Sequence, residues 1–158
     1  MNIRIGFGFD IHRLEEGREL WLGGIRFEHE KGLLAMSDGD VLIHAICDAL
    51  FGAASLGDLG THFLETDKRN EGIDSKLLLK QAVDLITSKG YSIGNVDSTL
   101  CAERPKINPH LPVMKEILSK IMNIEVDDVS IKATTNEKLG YVGREEGICA
   151  YATVLLYK

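Results

Sequence analysis

Residues 37–55 read SDGDVLIHAICDALFGAAS, and nearly every position after Asp40 is apolar. Val41, Leu42, Ile43, Ala45, Ile46, Cys47, Ala49, Leu50 and Phe51 occupy most of a helical wheel, so the spacing predicts a helix buried over most of its circumference. Ser37 stands where a cap belongs, with Asp40 three residues on to close a capping box. Asp40, His44 and Asp48 interrupt the apolar run at intervals of four and stack on one side. Two carboxylates beside an imidazole in such surroundings require metal ions, protons or ordered donors. Taken alone, His44 reads as a satisfied core histidine.

Upstream, LWLGGIRFEHE (residues 20–30) sets Gly23-Gly24 between two short apolar segments, the pattern of a tight hairpin. Farther back, Ile3, Ile5, Phe7 and Phe9 alternate with Asn2, Arg4, Gly6 and Gly8 as a first strand does. That run stops at Asp10 and His12, two apart and so projecting together from extended chain. If His44 meets them, two imidazoles and a carboxylate suit zinc or a similar divalent ion and leave a position for water or a phosphate oxygen. The plainer alternative is a turn-capping Asp10 and an exposed His12.

Downstream, SLGDLGTHFLETDKRNEG (residues 55–72) is a polar, glycine-rich loop. A second helix starts at Asp74 or Ser75 and ends near Gly90. NVDSTLCAE (95–103) reads as a strand, and a third helix covers about 109–122 with Asn108 as cap and Pro109 in its first turn. VDDVSIKA (126–133) and ICAYATVLLY (148–157) supply later strands around the polar loop TTNEKLGYVGREEG. Strands with intervening helices fit a two-layer α+β sandwich, a mixed sheet with helices on one face plus the N-terminal hairpin. The closing strand is apolar on both faces, from Ala150 to Leu156, which suggests that subunits pack sheet against sheet.

At 158 residues the chain is read as one domain, 1–158. The 24 acidic and 18 basic side chains leave a net charge of −6, which gives no general attraction to nucleic acid or an anionic membrane. An anionic substrate stays open, because bound divalent ions reverse the local field. Cys47, Cys101 and Cys149 form no CxxC pair and read as buried thiols of a reducing, cytoplasmic setting. No secretory signal or bilayer-length apolar run stands out.

The loops hold the remaining candidates, each with a plain alternative. Asp58 and Glu65-Thr66-Asp67 either solvate their loop or bind substrate hydroxyls and organise a lid, and His62 reads as a surface residue. Lys106, after Arg104-Pro105, is a phosphate donor or a solvated cation. Thr134 and Thr135 at a strand end, with Glu137 two beyond, make a phosphate cradle with a Mg²⁺ or Mn²⁺ ligand, or a capped turn. Arg144 either grasps an anion or neutralises its glutamate neighbours. No GxxxxGK[ST] loop is present.

Four stretches, GFGFDIH, SDGDVLIHAICDALFGAASLGDLG, AERPKINPH and IKATTNEKLGYVGREEG, together resemble the 2-C-methyl-D-erythritol 2,4-cyclodiphosphate synthase family over essentially the whole chain. The resemblance implies a four-stranded sheet with helices on one side, sheets packed around the axis of a homotrimer, and active sites at subunit boundaries. It implies cyclisation of 4-diphosphocytidyl-2-C-methyl-D-erythritol 2-phosphate with release of CMP, in the non-mevalonate route to isoprenoids. Asp10, His12 and His44 match ligands of a divalent ion, usually zinc, and Glu137 a ligand of Mg²⁺ or Mn²⁺ held with the substrate diphosphate. Thr135 matches the threonine credited with stabilising the transition state. Asp58 matches the carboxylate that binds the methylerythritol hydroxyls. Gly60 and Phe63 to Asp67 (Phe63, Leu64, Glu65, Thr66, Asp67) match a mobile substrate loop, with Leu59 beside it. Ala102, Pro105, Lys106, Ile107, Ala133 and Thr134 fall where the cytidine and its phosphates are held. Asn136 and Tyr141 complete the substrate set, with Arg144 a phosphate contact.

Three positions depart from the family pattern. Met36 replaces a histidine assigned to positioning the substrate phosphate, Leu64 a proline, and Glu65 an aspartate. A thioether cannot give the charged hydrogen bond of an imidazolium, so turnover is expected to be weakened rather than abolished, with Ser37 still able to hold the phosphate. The competing readings are a metal-dependent phosphate hydrolase and a nucleotide-binding oligomer crippled by Met36.

Overall fold

The computed structural model describes residues 2–64 and 66–158; Glu65 lies outside the described residues. In chain order the elements are strands β1 (Ile3–Glu16), β2 (Leu20–Leu22), β3 (Ile25–Phe27) and β4 (Lys31–Leu33), then helices α1 (Val41–Ala53), α2 (Leu59–His62) and α3 (Ser75–Ser88). They continue with β5 (Ser92–Cys101), α4 (Leu111–Met122), β6 (Val129–Thr134), α5 (Gly140–Gly143) and β7 (Gly147–Tyr157). The main sheet has the order β4-β1-β7-β5-β6, with β5 and β6 parallel and the other pairs antiparallel. The four long strands are those expected, and β4 adds a short fifth at the edge. β2 and β3 form the separate hairpin.

The buried face of the sheet is made by α1. Its apolar positions, from Val41 to Phe51, lie in one core with Leu100, Ala150, Val154 and Leu156 of the sheet. Gly6 and Gly8 make this contact close: a Cβ on either would stand 1.8 Å from the Ala49 carbonyl oxygen or 1.9 Å from that of Ala45. The helix therefore rests on bare strand backbone. The alternation in β1 is thus the reverse of a core-facing apolar strand. Ile3, Ile5, Phe7 and Phe9 point away from the core and are 56%, 72%, 64% and 40% exposed. With Ile11 and Tyr151 they form an open apolar face of the kind that marks an interaction surface.

Three sequence expectations are corrected. Asp40, not Ser37, caps α1, its Oδ1 accepting from Ile43 N at 3.1 Å. The same carboxylate accepts from Gly23 N (2.9 Å) and Gly24 N (2.7 Å), so it ties the hairpin turn to the helix and outcompetes a cap three residues away. The third helix begins at Leu111, because residues Asn108–His110 form a 3₁₀ turn and Asn108 makes no cap. β1 does not stop at Asp10 but runs to Glu16, because β7 pairs with it as far as Arg13 and β4 takes over at Leu14. Among the described residues no helix is long and apolar enough to cross a membrane.

Candidate active site

The close seat of α1 on Gly6 and Gly8 brings His44 against the next two inward-facing positions of β1, Asp10 and His12. Asp10 Oδ2 lies 2.8 Å from His12 Nε2 and 3.0 Å from His44 Nδ1, and the two nitrogens are 3.1 Å apart. An ion with ligand bonds of about 2.0–2.1 Å holds tetrahedral donors about 3.3 Å apart. The three atoms are within about half an ångström of that arrangement, so this N/N/O set fits a divalent cation and leaves one direction open. Among the described residues it is the one group of three or more such side chains whose donors converge.

The electrostatics agree. Burial alone would raise the Asp10 carboxyl, yet the hydrogen bonds and charge of His12 and His44 hold it well below the usual carboxylate range. Burial opposes charging His44, but Asp10 outweighs it by hydrogen bond and charge, with Asp40 and Asp38 behind, and raises its pKa. A cation entering the trio competes with the proton that Asp10 favours on His44. Behind the site, His44 Nε2 lies 3.0 Å from Ser75 Oγ and 3.1 Å from Ser37 Oγ. Ser75 Oγ donates to Asp38, which also accepts from Ser75 N at 2.9 Å.

Asp10, His12 and His44 open on a cavity of about 330 Å³. Of the other expected substrate residues, Met36, Ser37, Asp58, Leu59, Gly60, Phe63 and Leu64 line it too. Asp58 caps α2, its Oδ1 accepting from Thr61 N (2.8 Å) and Thr61 Oγ1 (2.6 Å). Thr66 and Asp67 are not among its lining residues; Asp67 caps the next turn and pairs with Arg69 at 2.6 Å. His62, read as a surface residue, stacks on Phe51 with ring centroids 4.3 Å apart and donates to Leu56 O.

A second cavity, of about 700 Å³, takes Ala102, Pro105, Lys106, Ile107, Ala133, Thr134 and Thr135. It lies at the opposite side of the sheet. Asp10, Ala150, Leu100 and Ala133 stand in one row across β1, β7, β5 and β6. Three strand spacings put Ala133 roughly 14 Å from Asp10. Asn136 and Glu137 follow this cavity in a loop pinned by Glu103, which accepts from Asn136 N (2.9 Å) and Lys138 N (3.1 Å). Glu137 is exposed, lies 3.4 Å from Thr135 Oγ1, and does not belong to the Asp10 cluster. Tyr141 stands on α5, and Arg144 pairs with Glu146 at 2.8 Å. One chain thus brings the expected residues together as two separate groups.

Sequence reasoning missed Ser75 and Asp38, and it noted Asp48 beside His44 without placing it in the site. Asp48 lines the first cavity and accepts from Leu59 N at 2.7 Å; burial raises its carboxyl above the ordinary value despite that bond. Its spacing of four from His44 was the signal that drew notice to it. For Ser75, read as a helix start, the sequence offers no sign that it is fully buried beside His44.

The YgbB family model matches residues 3–157. A 2-C-methyl-D-erythritol 2,4-cyclodiphosphate synthase of Bacteroides fragilis is 64% identical over 156 residues, which covers 99% of this chain and 98% of that one. A 2C-methyl-D-erythritol-2,4-cyclodiphosphate synthase solved with CDP bound shares 39% identity at a TM-score of 0.90, over 98% of this chain and 100% of that chain. The chain also spans 42% of a bifunctional protein from Campylobacter jejuni, with a TM-score of 0.94, 39% identity and 98% of its own length covered. Matched from end to end by the family model and by a relative of nearly its own length, the chain belongs to the YgbB family, that of the 2-C-methyl-D-erythritol 2,4-cyclodiphosphate synthases.

Proposed function

We propose that the chain, acting as one domain of residues 1–158 in a cytoplasmic homotrimer, converts 4-diphosphocytidyl-2-C-methyl-D-erythritol 2-phosphate to 2-C-methyl-D-erythritol 2,4-cyclodiphosphate and CMP. An oxygen of the 2-phosphate attacks the β-phosphorus, the bond from that phosphorus to the bridging oxygen breaks, and CMP leaves. No protein nucleophile is required, and the cysteines take no part. The observation that carries this reading is the convergence of Asp10 Oδ2, His12 Nε2 and His44 Nδ1 on one point of a cavity.

Asp10, His12 and His44 hold a divalent cation, with zinc the best match to the donor set; when bound, it supplies positive charge that polarises the diphosphate and offsets repulsion between two anionic groups. Asp58 takes the methylerythritol hydroxyls, and its place in the lining of the first cavity, held there by Thr61, supports that role. Ser37 and Met36 border the 2-phosphate, and the loop that carries Phe63, Leu64, Thr66 and Asp67 serves the same substrate. Ala102, Pro105, Lys106, Ile107, Ala133 and Thr134 receive the cytidine diphosphate, and Thr135 donates to its phosphates. Glu137 holds Mg²⁺ or Mn²⁺ with that diphosphate, and Asn136, Tyr141 and Arg144 flank it. Positioning the reacting phosphates together supplies much of the acceleration.

The separation of the two cavities supports a site shared between subunits, the first cavity of one chain facing the second of its neighbour. The open apolar face of β1 and β7 supports packing around a three-fold axis. The test is incubation of the purified protein with the cytidyl substrate, with and without a chelator. CMP and cyclic diphosphate in equal amounts, lost on chelation, are expected. CMP with a linear product identifies a hydrolase, and binding without turnover identifies a nucleotide-binding oligomer.

A further inference from the structure

The backing of His44 assigns a proton. Asp38 is ringed by donors: Ser75 Oγ, Ser75 N at 2.9 Å and Asp40 N at 3.1 Å. An ionised carboxylate only accepts, so the single hydroxyl hydrogen of Ser75 points at Asp38. What Ser75 then offers His44, 3.0 Å away, is a lone pair, and a lone pair is satisfied only by an N–H. Ser75 is fully buried and His44 is 5% exposed, so water does not compete freely for either group. We propose that Asp38 and Ser75 are positioning residues that fix His44 as the tautomer protonated at Nε2, leaving the Nδ1 lone pair aimed at Asp10 and His12. Ser37 Oγ, 3.1 Å from the same Nε2, is a second acceptor.

The inference rests on the cation site described above and not on which reaction that site serves. An imidazole held this way binds a cation without first turning, and loss of such outer contacts typically weakens metal affinity 10–100-fold. No residue of the chain is consumed or altered.

The test is competitive Zn²⁺ titration of the whole protein against a chromophoric chelator. Ser75→Ala is expected to bind Zn²⁺ about tenfold more weakly, because Ser37 remains, and S37A/S75A about 100-fold. Asp38→Asn, which keeps both serines and can donate to Ser75, frees that hydroxyl to turn and is expected to weaken binding several-fold. A second readout belongs to the tautomer alone: long-range ¹H–¹⁵N spectra of the metal-free protein, at a pH where the ring is neutral, should show His44 protonated at Nε2. The same spectra of D38N should show a mixture. Wild-type affinity in S75A, or an Nδ1-protonated ring in the parent protein, overturns the proposal alone. Failure of the parent protein to bind Zn²⁺ where His44→Ala also fails overturns the site reading and this proposal with it.

Discussion

The two sides of the sheet differ in how finished they are. On β1, three donors stand within 3.1 Å of one another, with His44 backed by buried serines. Around the end of β6, Thr134, Thr135, Asn136, Glu137 and Lys138 are exposed or partly so, and Thr135 and Glu137 touch chiefly each other. The first region is preorganised by its own chain. The second has its loop held by Glu103, while its functional groups stand exposed or partly so. The contrast is the one the proposed shared site requires, with one half complete at folding and the other at assembly.

The change that should break the contrast most severely is His44→Ala. It removes a cation ligand, and turnover is expected to fall by about 1,000-fold or more with Zn²⁺ binding lost, as read by product formation and metal content. Next comes the surface on which His44 depends. Gly8→Ala places a Cβ 1.9 Å from the Ala45 carbonyl oxygen, so α1 must lift off β1. A loss of about 3 kcal/mol or more in a denaturant melt is expected, together with weaker metal binding.

Smaller changes sharpen the comparison. Met36→His introduces a charged donor into the lining of the first cavity and is expected to raise kcat about tenfold with little effect on stability. Asp97→Asn breaks the exposed pair with Lys132 on the β6 side and weakens the hydrogen bonds Asp97 accepts from Ser130 and Ser98. Its effect on unfolding should stay within about 0.5 kcal/mol. The sign is fixed: Lys132 lowers the Asp97 pKa, so the pair contributes above the ordinary carboxylate value and loses that contribution as pH falls through the lowered one.

Much of this was legible in the sequence. The apolar circumference of 41–51 gave a buried helix, Gly23-Gly24 a hairpin, and Asp10, His12 and His44 a donor set whose only missing fact was distance. Alternation in 3–9 showed a strand but not which face it turns to the core, since a period of two is the same from either side. The glycines took the core side because a helix needed the space. Ser75 and Asp38 were hidden for a different reason: they are 37 residues apart in sequence, and polar residues before a helix are ordinary caps. The three cysteines are buried and free, as expected, but Cys101 and Cys149 face each other across β5 and β7 with Val142 over them, a pairing that only register reveals.

Mixing subunits tests the shared site most directly. His44→Ala leaves the β6 side intact and Thr135→Ala leaves the β1 side intact, so each homotrimer is crippled at every site. When equal amounts are co-assembled at random, about a quarter of all the interfaces in the mixture should pair two unaltered halves, and its activity should recover to about a quarter of the parent protein's. Mixed trimers no more active than either parent variant would mean that each site is built within one chain.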